Sequence, residues 1–291
     1  MTIADIYTPK QIARALGVSE SSLKRWCDKG ILPTVRTAGG HRRIALGAVM
    51  DYVRSTGRPL VRPELIGLPA TSGMGERVVD RGSDHLAAAL VTGDAAICRQ
   101  VVLDLFLAGH SISTIGDRVI SPCFQQIGSD WECGNVEVYQ ERRACEIMWR
   151  VLHELEDLVA RGPPPGPLAL GGTIEEDGYQ LPTTLVALVL RQSGWRSISL
   201  GSGLPLSTML AAIRHHHPKL FWISVSHVSE EARFLSEYDA FFHEASRYTL
   251  LAVGGRALTE NMRSSMHYTV FCDRLAHLES FVATLPRTAE A

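Results

Sequence analysis

GGTIEEDGYQLPTTLVALVLRQSGW, residues 171–195, opens on a strand end, crosses a polar, acidic loop and closes in an amphipathic helix. The same alternation repeats after it. Strands are expected near 168–173, 196–201, 220–225, 249–253 and 268–272, with helices near 181–193, 205–215, 229–247, 257–265 and 274–285. Five βα units in succession predict a flavodoxin-like, doubly wound parallel sheet over residues 166–291. Such sheets bind ligands at the carboxyl ends of their strands, and the loop Glu175–Leu181 lies at one of those ends.

Upstream, RGPPPGP at 161–167 reads as a semi-rigid linker. Residues 83–160 show a 3.6-residue period broken at Gly93, Gly109 and Gly134, which predicts helices over 83–92, 94–108, 112–130 and 135–160 and a four-helix bundle domain over 80–160. TGRPLVRPELIGLPATSGMG, residues 56–75, has no sustained period and suits a second linker. No long heptad run is present, so self-association as a dimer or tetramer is expected to come from the body.

The first sixty residues hold ten Lys and Arg against four Asp and Glu, a charge of +6, which leaves −8 for the remainder of a chain whose net charge is −2. A basic head on an acidic body points to a nucleic-acid-binding module, here residues 1–75. YTPKQIARALGVSESSLKRWCDKGIL predicts two short helices. Thr8 caps the first, with Ile12, Ala15 and Leu16 inward; Ser19 caps the second, which runs to Gly30 with Leu23 and Trp26 inward. The tight turn at Gly17 makes them a helix-turn-helix. PTVRTAGGHRRI then sets Arg36, His41, Arg42 and Arg43 around a Gly-Gly turn, a wing for phosphates.

The longest apolar run, LVALVL at 185–190, is too short to span a bilayer, so no membrane partner and a cytoplasmic location are expected. Six cysteines without a CxxC pair argue against a disulfide framework or a zinc knuckle and read as reduced core residues. His215, His216 and His217 precede Pro218 at a helix end, where adjacent side chains diverge, so they are discounted as a metal site.

Helix-turn-helix, AGGHRR wing and the helix ALGAVMDYV together resemble the MerR family of transcription regulators over residues 6–55. The resemblance implies that Ser21, Lys24 and Arg25 face the major groove of an operator while Arg36, His41, Arg42 and Arg43 grip its backbone, with RNA polymerase a further possible partner. Residues 83–288 resemble a cobalamin-binding module, and the whole chain is similar to the CarH/CarA family of photoreceptor repressors. That family's signature runs acidic residue, one residue, His, two residues, Gly, then Ser-x-Leu and Gly-Gly at long fixed spacings. Here the same spacing lands on Asp177, Tyr179, Pro182, Ser224, Ser226, Gly254 and Gly255. The bundle motif Trp, nine residues, Glu-His falls on Trp131, Glu141 and Arg142.

The resemblance implies that position 179 ligates cobalt from below, oriented by the acidic residue, and that the Trp131 motif covers the upper face of adenosylcobalamin. Tyr179 and Arg142 replace both histidines, and Pro182 replaces the glycine beside the nucleotide tail. Three readings stay open: cobalamin held without a histidine ligand; haem or a bilin, with Tyr179 an axial ligand to haem iron and Arg142 paired to a propionate; or no cofactor, the body serving protein contacts. The expected function is a DNA-binding repressor sensing light or a small ligand, without turnover. An enzyme or corrinoid carrier is the less favoured class, because a catalytic partner domain and the cobalt-binding histidine are both missing from the pattern.

Overall fold

The computed structural model describes residues 6–37, 39–58, 60–68, 76–159 and 166–286. The chain forms two compact units, residues 1–111 with 118–160 and residues 112–117 with 161–291.

The first unit begins with β1 (Ile6–Tyr7), α1 (Pro9–Ala15) and α2 (Glu20–Asp28), followed by the hairpin β2 (Val35–Arg36) and β3 (Arg42–Ala45) and then α3 (Leu46–Thr56). A capping box starts α1: Thr8 Oγ1 accepts from Gln11 N at 3.2 Å and Thr8 N donates to Gln11 Oε1 at 2.9 Å. Ser19 Oγ accepts from Ser22 N at 3.1 Å and starts α2, which ends at Asp28 rather than at Gly30. The strand order is β1-β3-β2, antiparallel, so the wing is anchored by β1, a strand of two residues too short to leave a periodic signal. Ile12, Ala15, Leu16, Leu23, Ile44 and Met50 form the core of the head. Trp26 is only half-buried; it stacks on Tyr52 with ring centroids 5.0 Å apart, and the Arg58 guanidinium lies 5.2 Å from its ring.

Residues 60–68 are not a free linker. Val61 N and Arg62 N donate to Ala15 O at 2.8 and 3.1 Å, Tyr7 Oη donates to Ile66 O at 2.8 Å, and Leu60, Ile66 and Leu68 are buried. Leu60, Ile66 and Leu68, spaced on and around a 3-10 turn (Pro63–Ile66), are enough to dock the segment on α1, although its Pro and Gly content reads as a linker. Residues 69–75 and the proline run at 161–165 lie outside the described residues.

Along the chain follow α4 (Glu76–Thr92), α5 (Ala95–Leu107), α6 (Ile112–Ile115), a π-helical stretch (Gly116–Ile120), α7 (Ser121–Glu132) and α8 (Val138–Leu158); α4, α5, α7 and α8 belong to the first unit, α6 and the first two residues of the π-helical stretch to the second. The first helix starts seven residues before position 83. Gly93 and Gly134 sit at φ 81° and 75°, where only glycine is free of Cβ strain, and so break the helices where the period breaks. Leu86, Leu90, Val102, Phe106, Ile127, Met148 and Leu152 fill the bundle. Head and bundle are fastened within this unit: α3 packs on α8, and Arg99 donates from Nε to Glu154 Oε2 at 2.7 Å and from Nη2 to Gly67 O at 3.0 Å.

In the second unit β4 (Leu168–Thr173), α9 (Gln180–Gln192), β5 (Arg196–Ser199), α10 (Leu206–His216), β6 (Leu220–Ser224), α11 (Glu231–Ala245), β7 (Leu250–Gly254), α12 (Glu260–Ser264), β8 (Val270–Cys272) and α13 (Leu275–Thr284) follow in turn. All pairs are parallel, in the order β5-β4-β6-β7-β8. That is the flavodoxin-like order, and it puts the topological switch point between β4 and β6. Phe221, Leu251, Val253, Met209, Ile213 and Tyr238 make one buried layer. Trp222 lies over Gly171, where a Cβ would strike it, and its Nε1 donates to Thr183 Oγ1 at 2.9 Å. Asp117 caps α13, accepting from Leu275 N at 2.9 Å and Ala276 N at 3.0 Å.

The cysteines are free, but not all are core: Cys98 and Cys123 are buried and Cys133 is exposed. Burial pushes the Cys98 thiol up to about 11 and the Cys145 thiol up to about 12, which makes both poor nucleophiles.

Candidate functional site

Two surfaces collect the residues singled out by the sequence. On the head, Ser21, Lys24 and Arg25 are exposed along α2, and Arg36 and His41 are exposed on the wing. Lys24 pairs with Glu20 one turn back at 3.2 Å, an exposed pair of little energetic weight. Arg42 and Arg43 are half-buried. Arg42 Nη1 lies 2.6 Å from Asp28 Oδ1, and Arg43 Nη1 donates to Arg42 O at 3.3 Å.

The second surface is the carboxyl end of the sheet at the switch point. Asp177 is fully buried there, between the loop after β4 and the loop after β6. Its Oδ1 accepts from Tyr179 N at 3.0 Å and its Oδ2 from Ser226 N at 2.6 Å. Burial pushes its carboxyl above the usual carboxylate range, while the backbone N–H groups of Ser226, Tyr179 and His227 pull the other way. Thr173 Oγ1 completes the fastening by donating to Asp177 O at 2.5 Å and accepting from Gly203 N at 3.1 Å. Asp177→Asn leaves one of the two backbone N–H groups without an acceptor and is expected to cost about 1–3 kcal/mol. An unchanged urea midpoint for that variant would show that the carboxylate fastens nothing.

Tyr179 is the N-cap residue of α9 and is half-buried, and Pro182 takes the third helical position, where no intrahelical N–H bond is required. The Arg256 guanidinium lies 5.0 Å from the Tyr179 ring centroid, and its Nε donates to Ser226 O at 3.3 Å. Arg256 escaped the sequence reading although it directly follows Gly254-Gly255. Ser224 and Ser226 are buried. A Cβ at Gly254 would strike Cys272 O and one at Gly255 would strike Val225 O, so the glycine pair is required by the sheet itself. A small cavity nearby has apolar walls from Ile174, Leu206, Val228 and Phe234 and a rim including Glu175 and Glu176.

The residues here do not fit a corrinoid ligated by a protein histidine at position 179. Tyr179 offers no imidazole, each Asp177 oxygen accepts a backbone N–H, and the Arg256 guanidinium lies over the phenol ring. Among the described residues no cluster of His, Cys, Asp and Glu is arranged to hold a metal ion. His217 closes α10 in the left-handed conformation, with the His215 and His216 rings edge to face.

The bundle motif is described within the first unit. Trp131 near the end of α7 is 50% exposed. Glu141 on α8 accepts from Cys145 Sγ at 3.7 Å and lies 3.4 Å from Arg142, whose side chain points to solvent.

A helix-turn-helix domain model matches residues 6–57, and a B12 binding domain model matches residues 83–156. No curated protein sequence matches the chain. Among solved structures, the monomethylamine corrinoid protein of Methanosarcina barkeri is 16% identical, with 71% of this chain and 97% of that one covered and a TM-score of 0.57. A cobalamin-binding protein from Desulfitobacterium hafniense DCB-2 is 16% identical, with 70% and 97% covered and a TM-score of 0.36. The methanol:cobalamin methyltransferase complex MtaBC of Methanosarcina barkeri is 15% identical, with 79% and 92% covered and a TM-score of 0.36. Among the described residues no helix is long and apolar enough to cross a membrane. The chain thus joins a helix-turn-helix domain to a B12 binding domain with the fold of a corrinoid protein, an order consistent with the CarH-like architecture.

Proposed function

We propose that the chain is a cytoplasmic transcription regulator of MerR type, in which residues 1–75 bind duplex operator DNA and the body gates that binding. Repression, self-association through residues 80–291 and a response to light or a tetrapyrrole belong to the same reading. The observation that carries it is the pairing, in one chain, of an exposed α2 and arginine wing with a B12 binding domain. A regulator is favoured over an enzyme because the basic head has no part in turnover chemistry and the loop at the switch point offers no cobalt-ligating imidazole.

The tetrapyrrole in this reading is one that needs no histidine from position 179: cobalamin keeping its own nucleotide base, haem or a bilin. A second reading, a regulator without cofactor, is favoured by the closure of the switch-point loop on its own side chains, Asp177 onto backbone donors and Tyr179 under Arg256. Purified protein offered cobalamin, haem and a bilin in turn separates the two. Retention of colour through gel filtration is the expected result; in Tyr179→Phe a lost or shifted spectrum means that the phenol ligates the metal, as in the haem reading, and an unchanged one means that Tyr179 only packs against the ligand. Tyr179→His is expected to gain a cobalamin spectrum typical of imidazole ligation. If neither the wild type nor either variant retains any of the three, the cofactor-free reading stands and the gating is by protein contact. Gel shifts in the dark and under illumination then test the light response.

A further inference from the structure

Four observations meet at the junction of the recognition helix and the wing. Asp28 is the last residue of α2, where the helix dipole disfavours a carboxylate. Its Oδ1 nevertheless lies 2.6 Å from Arg42 Nη1 on β3. In the antiparallel register of the wing, Arg42 stands directly opposite Arg36, a like-charge cross-strand pair that costs stability unless a counterion is near. Arg42 is the better buried member, its side chain 32% exposed against 57% for Asp28, and Arg36 is exposed.

We propose that Asp28 is a positioning residue for DNA recognition: it clamps Arg42, and thereby the wing, at a fixed angle to α2, and leaves the phosphate contacts of the wing to Arg36, His41 and Arg43. This rests on the DNA-binding reading of the head. Position 42 then contributes to affinity through the shape of the binding face, and little through its own charge on the backbone. The carboxylate at the end of α2, unfavourable to the helix and to DNA alike, has a reason to be there.

The consequence has a sign that separates it from the simpler reading, in which Arg42 grips a phosphate. If Arg42 were a phosphate contact, Asp28→Asn would free it and remove a negative charge from the DNA face, so affinity would rise. If Asp28 is the clamp, Asp28→Asn loosens the wing and affinity falls.

The test uses the full chain, its fold checked by circular dichroism, and a short mixed-sequence duplex titrated at several salt concentrations. Expected are a similar several-fold weakening for Asp28→Asn and Arg42→Ala, a double variant no weaker than either single one, and a log–log salt slope that Arg42→Ala changes by much less than the value of about 0.9 carried by one phosphate contact. Exchanging the two residues, Asp28→Arg with Arg42→Asp, is expected to recover part of the affinity. Tighter binding by Asp28→Asn, or a full-contact loss of slope in Arg42→Ala, overturns the proposal while leaving DNA binding intact. No binding by the wild type at low salt overturns both.

Discussion

Replacing Arg42 and Arg43 together by Glu is expected to abolish duplex binding by the full chain, with a loss of at least about a hundredfold at moderate salt, since nonspecific affinity comes from phosphate neutralisation. The two changes shift the charge of the first sixty residues by four, from +6 to +2. They also set a new carboxylate at position 42 against Asp28, 2.6 Å from where the guanidinium now sits, and drive the wing away from α2. Arg43 is braced on Arg42 O, so both positions fail together. Fluorescence anisotropy with a labelled duplex reads the result, and circular dichroism checks that the head remains folded. Affinity retained in a folded double variant would mean that the wing is not part of the interface.

Gly255→Ala is expected to be the most destabilising single change at the switch-point end of the sheet, on the order of 3–4 kcal/mol, from left-handed backbone strain and overpacking combined. Gly255 sits at φ 125°, and an added Cβ would run into Val225 O, a backbone atom just past β6 that is held as the acceptor of Ala257 N at 3.1 Å. The neighbouring loop carries Ser226, whose N–H holds Asp177, so the loop after β4 should loosen as well. Urea unfolding, or differential scanning calorimetry on the full chain, measures the loss. A variant within about 1 kcal/mol of the wild type would mean that the sheet does not require a glycine at position 255.

Much of the molecule is legible along the chain because it depends on short-range rules. Thr8 and Ser19 announce the helix starts, Gly93 and Gly134 the breaks between body helices, and the alternation after position 168 a parallel sheet; each signal lies within a few residues of the structure it sets. The limits of local reading appear where partners are distant. Residues 60–68 pack on α1 through Ala15, more than forty positions earlier, and β1 exists only because β3 pairs with it.

The candidate sites divide along the same line. The basic head, its helix-turn-helix and a tyrosine rather than an imidazole at position 179 follow from the sequence by itself, since charge, spacing and residue type need no partner to be read. Only the tertiary structure decides that Asp177 spends both oxygens on backbone donors from two loops, that Arg256 covers Tyr179, and that Arg42 answers to Asp28. The physical reason is that a polar group's role is set by what satisfies it, and across a parallel sheet or a wing the satisfying group is brought in by folding from far along the chain.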